Sequence, residues 1–435
     1  MFDLKFVREH AEELRDTVLR QRRDDRLAAL DDALRLDKEW RSLKQETDTL
    51  RKERNEVSER INQQKKEGKP VDELIARAKE IPLKIKEHEE RLAKLEGKAK
   101  TLLARIPNIM HKEVPYGTDE TGNKETKRWG RQRDVSFPMK NHVELAEALG
   151  LADFDASAKT SGHGFYFLKG DLALLNQALI RFAVEKLVAK GYAYIEPPLM
   201  VREEVLEAAM DLAGIRQSIY EVGGAHDDGK PENRLRLIGT AEHALLGMHA
   251  SETLKGEELP KRYVGYSMCF RQEIGSHGIN EKGLWRTHQF NKVEQFIFCL
   301  PEQSWEMYAE LLRNSEEILQ QLKLPYRVVE ICTGDLAPWK ARSHDLEVWR
   351  PTTKGYGEVM SLSNCTTYQA HDLDIRYVRK NGERGVVHTL NNTALATSRI
   401  MVAILENCQE RDGTVTIPEA LRPYMNGKAK LRPQR

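Results

Sequence analysis

The chain has 435 residues, 40% of them hydrophobic and 31% charged, with a formal net charge of +1. That length exceeds one ordinary core and points to a large domain plus an appendage. The near-neutral balance excludes a global field for nucleic acid, so any such surface has to be a local patch.

The N-terminus, "MFDLKFVREHAEELRD", carries acids and bases from its third residue on, unlike a signal or transit segment. No apolar run approaches the ~18 residues of a membrane span. The expectation is a soluble, cytoplasmic protein with no membrane association. Cys269, Cys299, Cys332, Cys365 and Cys408 are widely spaced and form no CxxC pair. Such an odd, scattered set fits a reducing compartment and argues against a disulfide framework or a cysteine zinc site.

Residues 1–105 hold 51 charged side chains, 27 basic and 24 acidic, so the charge excess is local. From Val71 on, Val71, Leu74, Ala78, Ile81, Ile85, His88, Leu92, Leu95, Ala99, Leu102 and Ile106 alternate in steps of three and four. That is a heptad seam. An earlier seam runs through Leu36, Trp40, Leu43, Thr47, Leu50, Val57 and Ile61, interrupted by Arg54. Gly68 and Pro70 break the helix between them. The pattern predicts one antiparallel helical hairpin, each seam burying the other, with Pro82 kinking the second arm or leaving a carbonyl unpaired. A structural or dimerising coiled coil and an arm reaching for a distant partner both fit it.

Residues 109–135 are rich in turn formers and read as a linker. Beyond them glycines and aromatics rise and strands alternate with helices, which predicts one α+β domain over 136–435. "HDDGKPENR" (226–234) reads as a surface loop. "GDLALLNQALIRFAVEKLVAKGYAYIEPP" (170–198) predicts a long amphipathic helix running into a strand, a plausible dimer surface. "LIGTAEHALLGMHA" (237–250) predicts a helix start capped by Thr240.

"RYVGYSMCFRQE" and "RTHQFNKVEQFIFCL" flank a glycine-punctuated loop and read as two strands of a hairpin. Arg271, Glu273, Arg286 and Glu294 lie on or beside it. Arginines there can hold phosphate by bidentate hydrogen bonds. Phe290 offers a flat face for a base, and Glu294, four residues on, shares that face. The pair suits a site that takes a nucleotide and an amine; a surface hairpin with salt bridges is the plainer alternative. "GYGEVMSLSNCTTYQAHDLDIRY" (355–377) starts as a strand, where Glu358 and Ser361 supply hard oxygens suited to Mg²⁺. Three apart on a strand, they reach one ion only if a bulge intervenes. In "VHTLNNTALATSRIMVAILE" (387–406) a strand is expected to end at Asn391, Asn392 and Thr393 before a helix. Its lone Arg399 requires an anionic partner amid apolar neighbours, a structural carboxylate or a ligand. No GxxxxGK[ST] or GxGxxG stretch is present, so a nucleotide site here is neither a P-loop nor a Rossmann site.

In order, "EPPLMV", "FRQE…WRTHQFNKVEQ" and "HTLNNTALATSR" resemble motifs 1, 2 and 3 of class II aminoacyl-tRNA synthetases. "GTAEHAL", "SLSNCTTYQA", the tail "IPEALRPYM" and the N-terminal hairpin are similar to the seryl-tRNA synthetase family in particular. The resemblance covers essentially the whole chain. It implies an antiparallel sheet flanked by helices, with the hairpin (1–108) as a tRNA-binding arm and a homodimer formed through motif 1. It also implies activation of L-serine by ATP, then transfer to tRNA(Ser), and to tRNA(Sec) where one exists.

The same resemblance implies roles for single residues. Arg271 and Arg399 would be catalytic. Serine would meet Thr240, Ala241, Glu242, Arg271, Glu294, Asn391 and Thr393. ATP would meet Arg271, Gln272, Glu273, Arg286, Thr287, Phe290, Glu358, Val359, Met360, Ser361 and Arg399, with Glu358 and Ser361 on Mg²⁺. Two features depart from common patterns. Asn392 and Ala394 stand where class II motif 3 often has glycines, and the cysteine cluster of the zinc-dependent form is missing, so no zinc is expected. A carrier-protein ligase on the same core would lack the long arm, and an inactive interaction protein would have lost Arg271, Glu294 or Arg399. Another class II synthetase would normally add an anticodon domain.

Overall fold

The computed structural model describes residues 2–210, 218–223, 234–274 and 282–433. The loop expected over 226–234 lies, but for its last residue, outside them. The chain divides into two compact units, Met1–Ile109 and Met110–Arg435.

In the first unit two short helices, Leu4–Glu9 and Ala11–Arg20, precede the long helices Asp24–Lys66 (α1) and Asp72–Leu103 (α2). At 1.5 Å per residue α1 and α2 span about 64 and about 48 Å. Val57, Ile81 and Ile85 bury against each other, with Leu50, Ile61, Leu74 and Ala78 around them. The predicted seams therefore meet, and Arg54 is the seam position left exposed. Cross-arm pairs fix the antiparallel register. Trp40 Nε1 donates to Glu96 at 3.2 Å, Thr47 Oγ1 lies 3.2 Å from His88 Nδ1, and Arg77 holds Glu53 in a fork at 2.6 and 2.8 Å. Helix α2 runs without a break through Pro82, which has no N–H to offer the preceding turn.

The second unit is built on an eight-stranded sheet. In chain order its strands are β1 (Lys124–Trp129), β2 (Ala193–Ile195), β3 (Lys261–Phe270), β4 (Gln289–Cys299), β5 (Tyr326–Glu330), β6 (Arg342–Arg350), β7 (Gly355–Thr366) and β8 (His388–Ala396). In space they run β1-β5-β6-β7-β8-β4-β3-β2, antiparallel except for the β2–β3 pair. The expected linker over 109–135 is corrected here. Its Lys124–Trp129 is the sheet's edge strand, paired with β5, and Met110 and Val114 bury against Ile331 and Leu336. The strand "KETKRW" has no apolar alternation because it is an edge, exposed along most of its length.

One sheet face packs on helices Gly170–Val188 (α3), Ser304–Gln321 (α5) and Thr397–Asn407 (α6), forming the main core with Val293, Leu346, Leu362 and Leu390. Helix α4 (Ala241–Gly247) packs on β3 and β4. Alternation along β4 decides the facing. Gln295 and Asn291 bond to Ser315 of α5 and Asn176 of α3, so Phe290, Lys292 and Glu294 face the other way. The expected helix into strand at 170–198 is α3 followed by β2. The strand expected to stop at Asn391–Thr393 instead continues to Ala396. Small apolar Ala394 and Ala396 are as compatible with a buried strand as with a helix start.

Candidate active site

The face that Phe290 and Lys292 share opens into a cavity of about 470 Å³, within the range of small-molecule sites. Thr240 builds one wall. It N-caps α4, accepting from the Glu242 N–H at 3.3 Å, as the sequence predicts. Its hydroxyl also donates to Glu294 Oε2 at 3.3 Å and accepts from Lys292 Nζ at 3.0 Å. Glu242 receives the side-chain amides of Gln369 at 2.8 Å and Asn391 at 3.0 Å. Burial pushes the Glu242 carboxyl above its ordinary range, and nearby Glu294 adds to that. Burial does the same to Glu294, opposed by the Lys292 ammonium that pairs with it. A cavity-lining carboxyl, Glu242, with a second buried carboxyl nearby, suits a small ammonium group.

Across the hairpin Arg271 lies over the Phe290 ring at 5.4 Å and donates from Nε to the Gly239 carbonyl at 3.1 Å. Glu273, at a left-handed φ of 52°, pairs with Arg286 at 3.2 Å. A non-glycine residue held there stores strain of a kind common at binding sites. His243, also lining the cavity, is kept neutral: burial, then Arg271 and Lys292, push it down to about 3.

The third wall comes from β7. The bulge that the sequence requires is present. Leu346 faces Met360 and Glu347 faces Glu358, so Val359 is the extra residue. Glu358 and Ser361 therefore both line the cavity. Arg399, from the first turn of α6, meets Glu358 Oε2 at 3.2 Å and the Glu358 carbonyl at 2.8 Å. Burial opposes ionisation of Glu358, but Arg399 outweighs it and holds the carboxyl below its ordinary range. Asp345 sits opposite Ser361 on β6, and its buried Oδ1 has no hydrogen-bond partner. A carboxylate, a hydroxyl and an orphaned carboxylate oxygen are a hard-oxygen set that fits magnesium. Among the described residues no three His, Cys, Asp or Glu side chains are arranged to hold a metal by themselves, so phosphate oxygens would have to complete the shell.

Of the residues expected from sequence, Thr240, Glu242, Arg271, Glu273, Arg286, Thr287, Phe290, Glu358, Val359, Ser361, Asn391, Thr393 and Arg399 line one cavity. Four expected residues do not. Ala241 and Met360 turn into the core. Gln272 donates to the Ile219 carbonyl at 3.1 Å, bracing a segment that itself lines the cavity. Glu294 is fully buried one layer behind Thr240 and Lys292. Asn392, at a common glycine position, points to the opposite sheet face, donating at 2.8 Å to both the Leu311 carbonyl and Ser315. The cavity also contains residues that sequence reading missed: Trp285, Lys292, Trp339, Lys340, His243 and Ser363. Trp285 has Arg350 at 4.3 Å and Arg399 at 5.5 Å over its ring.

The seryl-tRNA synthetase N-terminal domain family matches residues 1–110, and the class II synthetase core family for glycine, histidine, proline, serine and threonine matches residues 220–408. A serine–tRNA ligase of Methanocella arvoryzae is 47% identical over 98% of this chain and 99% of its own. The chain belongs to the seryl-tRNA synthetase family. The fold agrees with this assignment. A Pyrococcus horikoshii seryl-tRNA synthetase, solved in complex with ATP, superposes with a TM-score of 0.94 at 42% identity, covering 100% of both chains. A Naegleria fowleri cytoplasmic serine–tRNA ligase, solved in complex with AMP, gives 0.90 at 30% identity, covering 100% of this chain and 99% of that one.

Proposed function

We propose that this chain is a serine–tRNA ligase. It joins L-serine to ATP as seryl-adenylate, releases pyrophosphate, and passes the seryl group to tRNA(Ser), and to tRNA(Sec) where one is present. The observation that carries the reading is the sharing of one cavity by two dissimilar half-sites. One has Arg271, Arg286 and Phe290 for a nucleotide; the other has Thr240, Glu242 and Asn391 for a small ammonium-bearing molecule.

In this reading Arg271 draws together the serine carboxylate and the α-phosphate, Phe290 stacks on adenine, and Glu273 accepts from the adenine amino group. Arg286 and Arg399 hold the outer phosphates. Glu358 and Ser361, with Asp345 behind, would hold magnesium, which supplies charge neutralisation to the phosphates. Glu242, Thr240, Asn391 and Thr393 hold the serine ammonium and hydroxyl, with Glu294 polarising Thr240 from beneath. The serine carboxylate is already the nucleophile, so no side chain has to remove a proton. The chain's contribution is positioning and stabilisation of the charge on the pentacoordinate phosphorus. Alanine would leave the hydroxyl partners unpaired and so be rejected more strongly than by size alone.

The arm over 1–108 binds tRNA in this reading, residues 136–435 carry the chemistry, the working form is a cytoplasmic homodimer, and no zinc takes part. Exposed Phe167, Leu174, Val188, Tyr194 and Met200, around the motif 1 region, support the dimer. The test is amino-acid-dependent ATP–pyrophosphate exchange with serine, threonine, alanine and glycine, alongside charging of total tRNA. Exchange with serine and charging of tRNA(Ser) are expected. Exchange without charging would point to another acceptor, and no exchange with any of the four would overturn the reading.

A further inference from the structure

Five cationic side chains line the cavity: Arg271, Arg286, Lys292, Lys340 and Arg399. Three already have carboxylate partners: Arg286 with Glu273, Lys292 with Glu294 and Arg399 with Glu358. Among the described residues, Arg271 and Lys340 have no carboxylate within 4.0 Å. Arg271 has a role in the reading above; Lys340 has none. Among the described residues its ammonium makes only long contacts, 3.3 Å to Ser343 Oγ and 3.5 Å to Ser361 Oγ. A half-buried ammonium held by two hydroxyls at the edge of hydrogen-bond distance retains capacity for an anion.

The backbone fixes where that capacity is offered. Lys340 closes a turn on the Ala337 carbonyl at 3.0 Å. The next residue, Ala341, is bonded on both sides: its N–H to the Asn364 carbonyl at 2.8 Å, its carbonyl to the His111 N–H at 2.9 Å. Lys340 thus leaves an anchored strand end. Glu358, in the phosphate half, and Glu242, in the ammonium half, are both stabilised in their charged forms by Lys340. The lysine therefore lies within electrostatic reach of both halves, where carboxylate and α-phosphate have to meet. Lys340 precedes β6, and Arg271 follows β3, four strands away. At about 4.8 Å per strand their backbones stand roughly 19 Å apart, on opposite walls.

We propose that Lys340 is an anion-binding catalytic residue of the adenylation step, placing its ammonium on an α-phosphate oxygen opposite Arg271. The inference rests on the serine–tRNA ligase reading. In the step, a serine carboxylate oxygen forms a bond to the α-phosphorus. The bond from that phosphorus to the bridging oxygen of pyrophosphate breaks, and pyrophosphate leaves with the electron pair. No proton moves. Negative charge gathers on the non-bridging oxygens of the α-phosphorus, and Lys340 neutralises part of it from the side Arg271 leaves open. Once the adenylate has formed, transfer to tRNA places the new charge at the serine carbonyl instead, so the lysine acts mainly in the first step.

Wild-type exchange with serine tests the parent reading on its own. For the inference, Lys340→Met and Lys340→Arg are compared with wild type in single-turnover adenylate formation. Transfer is measured separately, from isolated enzyme–adenylate complex to tRNA(Ser). The expected result is an adenylation rate about 100-fold lower in Lys340→Met, substantial recovery in Lys340→Arg, and transfer within about threefold of wild type. If Lys340→Met does not fold by its thermal melt, Lys340→Gln takes its place against Lys340→Arg. Unchanged adenylation, or equal losses in adenylation and transfer, would overturn the proposal.

Discussion

Arg399 holds Glu358 twice, by its carboxylate at 3.2 Å and by its backbone carbonyl at 2.8 Å. The second contact grips the bulged strand itself. Arginine's planar fork suits this double contact and lysine's point charge does not. Arg399→Lys should therefore retain some activity, while Arg399→Ala should reduce serine-dependent exchange about 100-fold and raise the KM for ATP. The check is exchange kinetics over an ATP series. Wild-type activity in Arg399→Lys would contradict a role for the second contact.

Gly357 makes room for Trp285. A methyl group at 357 would come within 2.4 Å of the Trp285 ring, far inside van der Waals contact. That ring backs Arg350 and Arg399, so Gly357→Ala should displace a cavity wall while leaving the serine half-site intact. We expect the KM for ATP to rise at least several-fold with little change in the KM for serine. Equal effects on both would indicate general loosening of the fold.

Strand β6 buries a histidine, His344, with a defined pH consequence. Burial, then Arg342, push His344 down to about 4, against about 6.5 in an unfolded chain. A depressed histidine contributes stability that is present above the unfolded value and is lost as pH falls from about 6.5 towards 4. His344→Gln cannot take up that proton in either state. At pH 7.5 it should be less stable than wild type by about 1 kcal/mol for the altered bond to Tyr308, 2.7 Å long. At pH 5 the deficit should shrink or reverse. Thermal melts of both proteins at the two pH values read this directly, and a deficit that grows at pH 5 would contradict the assignment.

Separate compact units allow separate failures. Ile81 is fully buried in the seam between α1 and α2. Ile81→Asp places a charge there and should open the hairpin. Charging of tRNA(Ser) should fall by at least tenfold while serine-dependent exchange stays within about twofold of wild type. Loss of both would argue that the arm also supports the catalytic unit.

Much of this architecture was legible in the sequence because it is periodic. The steps of three and four from Val71 to Ile106 identified a seam, and the four-residue spacing of Phe290 and Glu294 identified a shared face. The need for a bulge between Glu358 and Ser361 followed from strand geometry alone. The misses lie where periodicity is absent. Lys340 is placed by a turn, and Trp285 sits in a stretch that reads as loop. Both enter the cavity through tertiary placement that no local spacing encodes. The edge strand 124–129 read as linker because an exposed, charged edge has no apolar alternation to detect. Ala241, Gln272 and Met360 were expected as members of motif runs, but alternation and the α4 turn send their side chains elsewhere.

The extra residue at Val359 also sets a rule for how this strand can change over evolutionary time. With Val359 in place, Glu358 and Ser361 share the cavity although they lie three positions apart. Deleting that valine would restore a regular ladder with Glu358 and Ser361 two positions apart and still on one face, whereas one residue inserted in β6 opposite Val359 would also restore the ladder but turn Glu358 towards the opposite layer. The two oxygens stay together if the bulge is lost with its valine, and part if the valine is kept and gains a partner on β6.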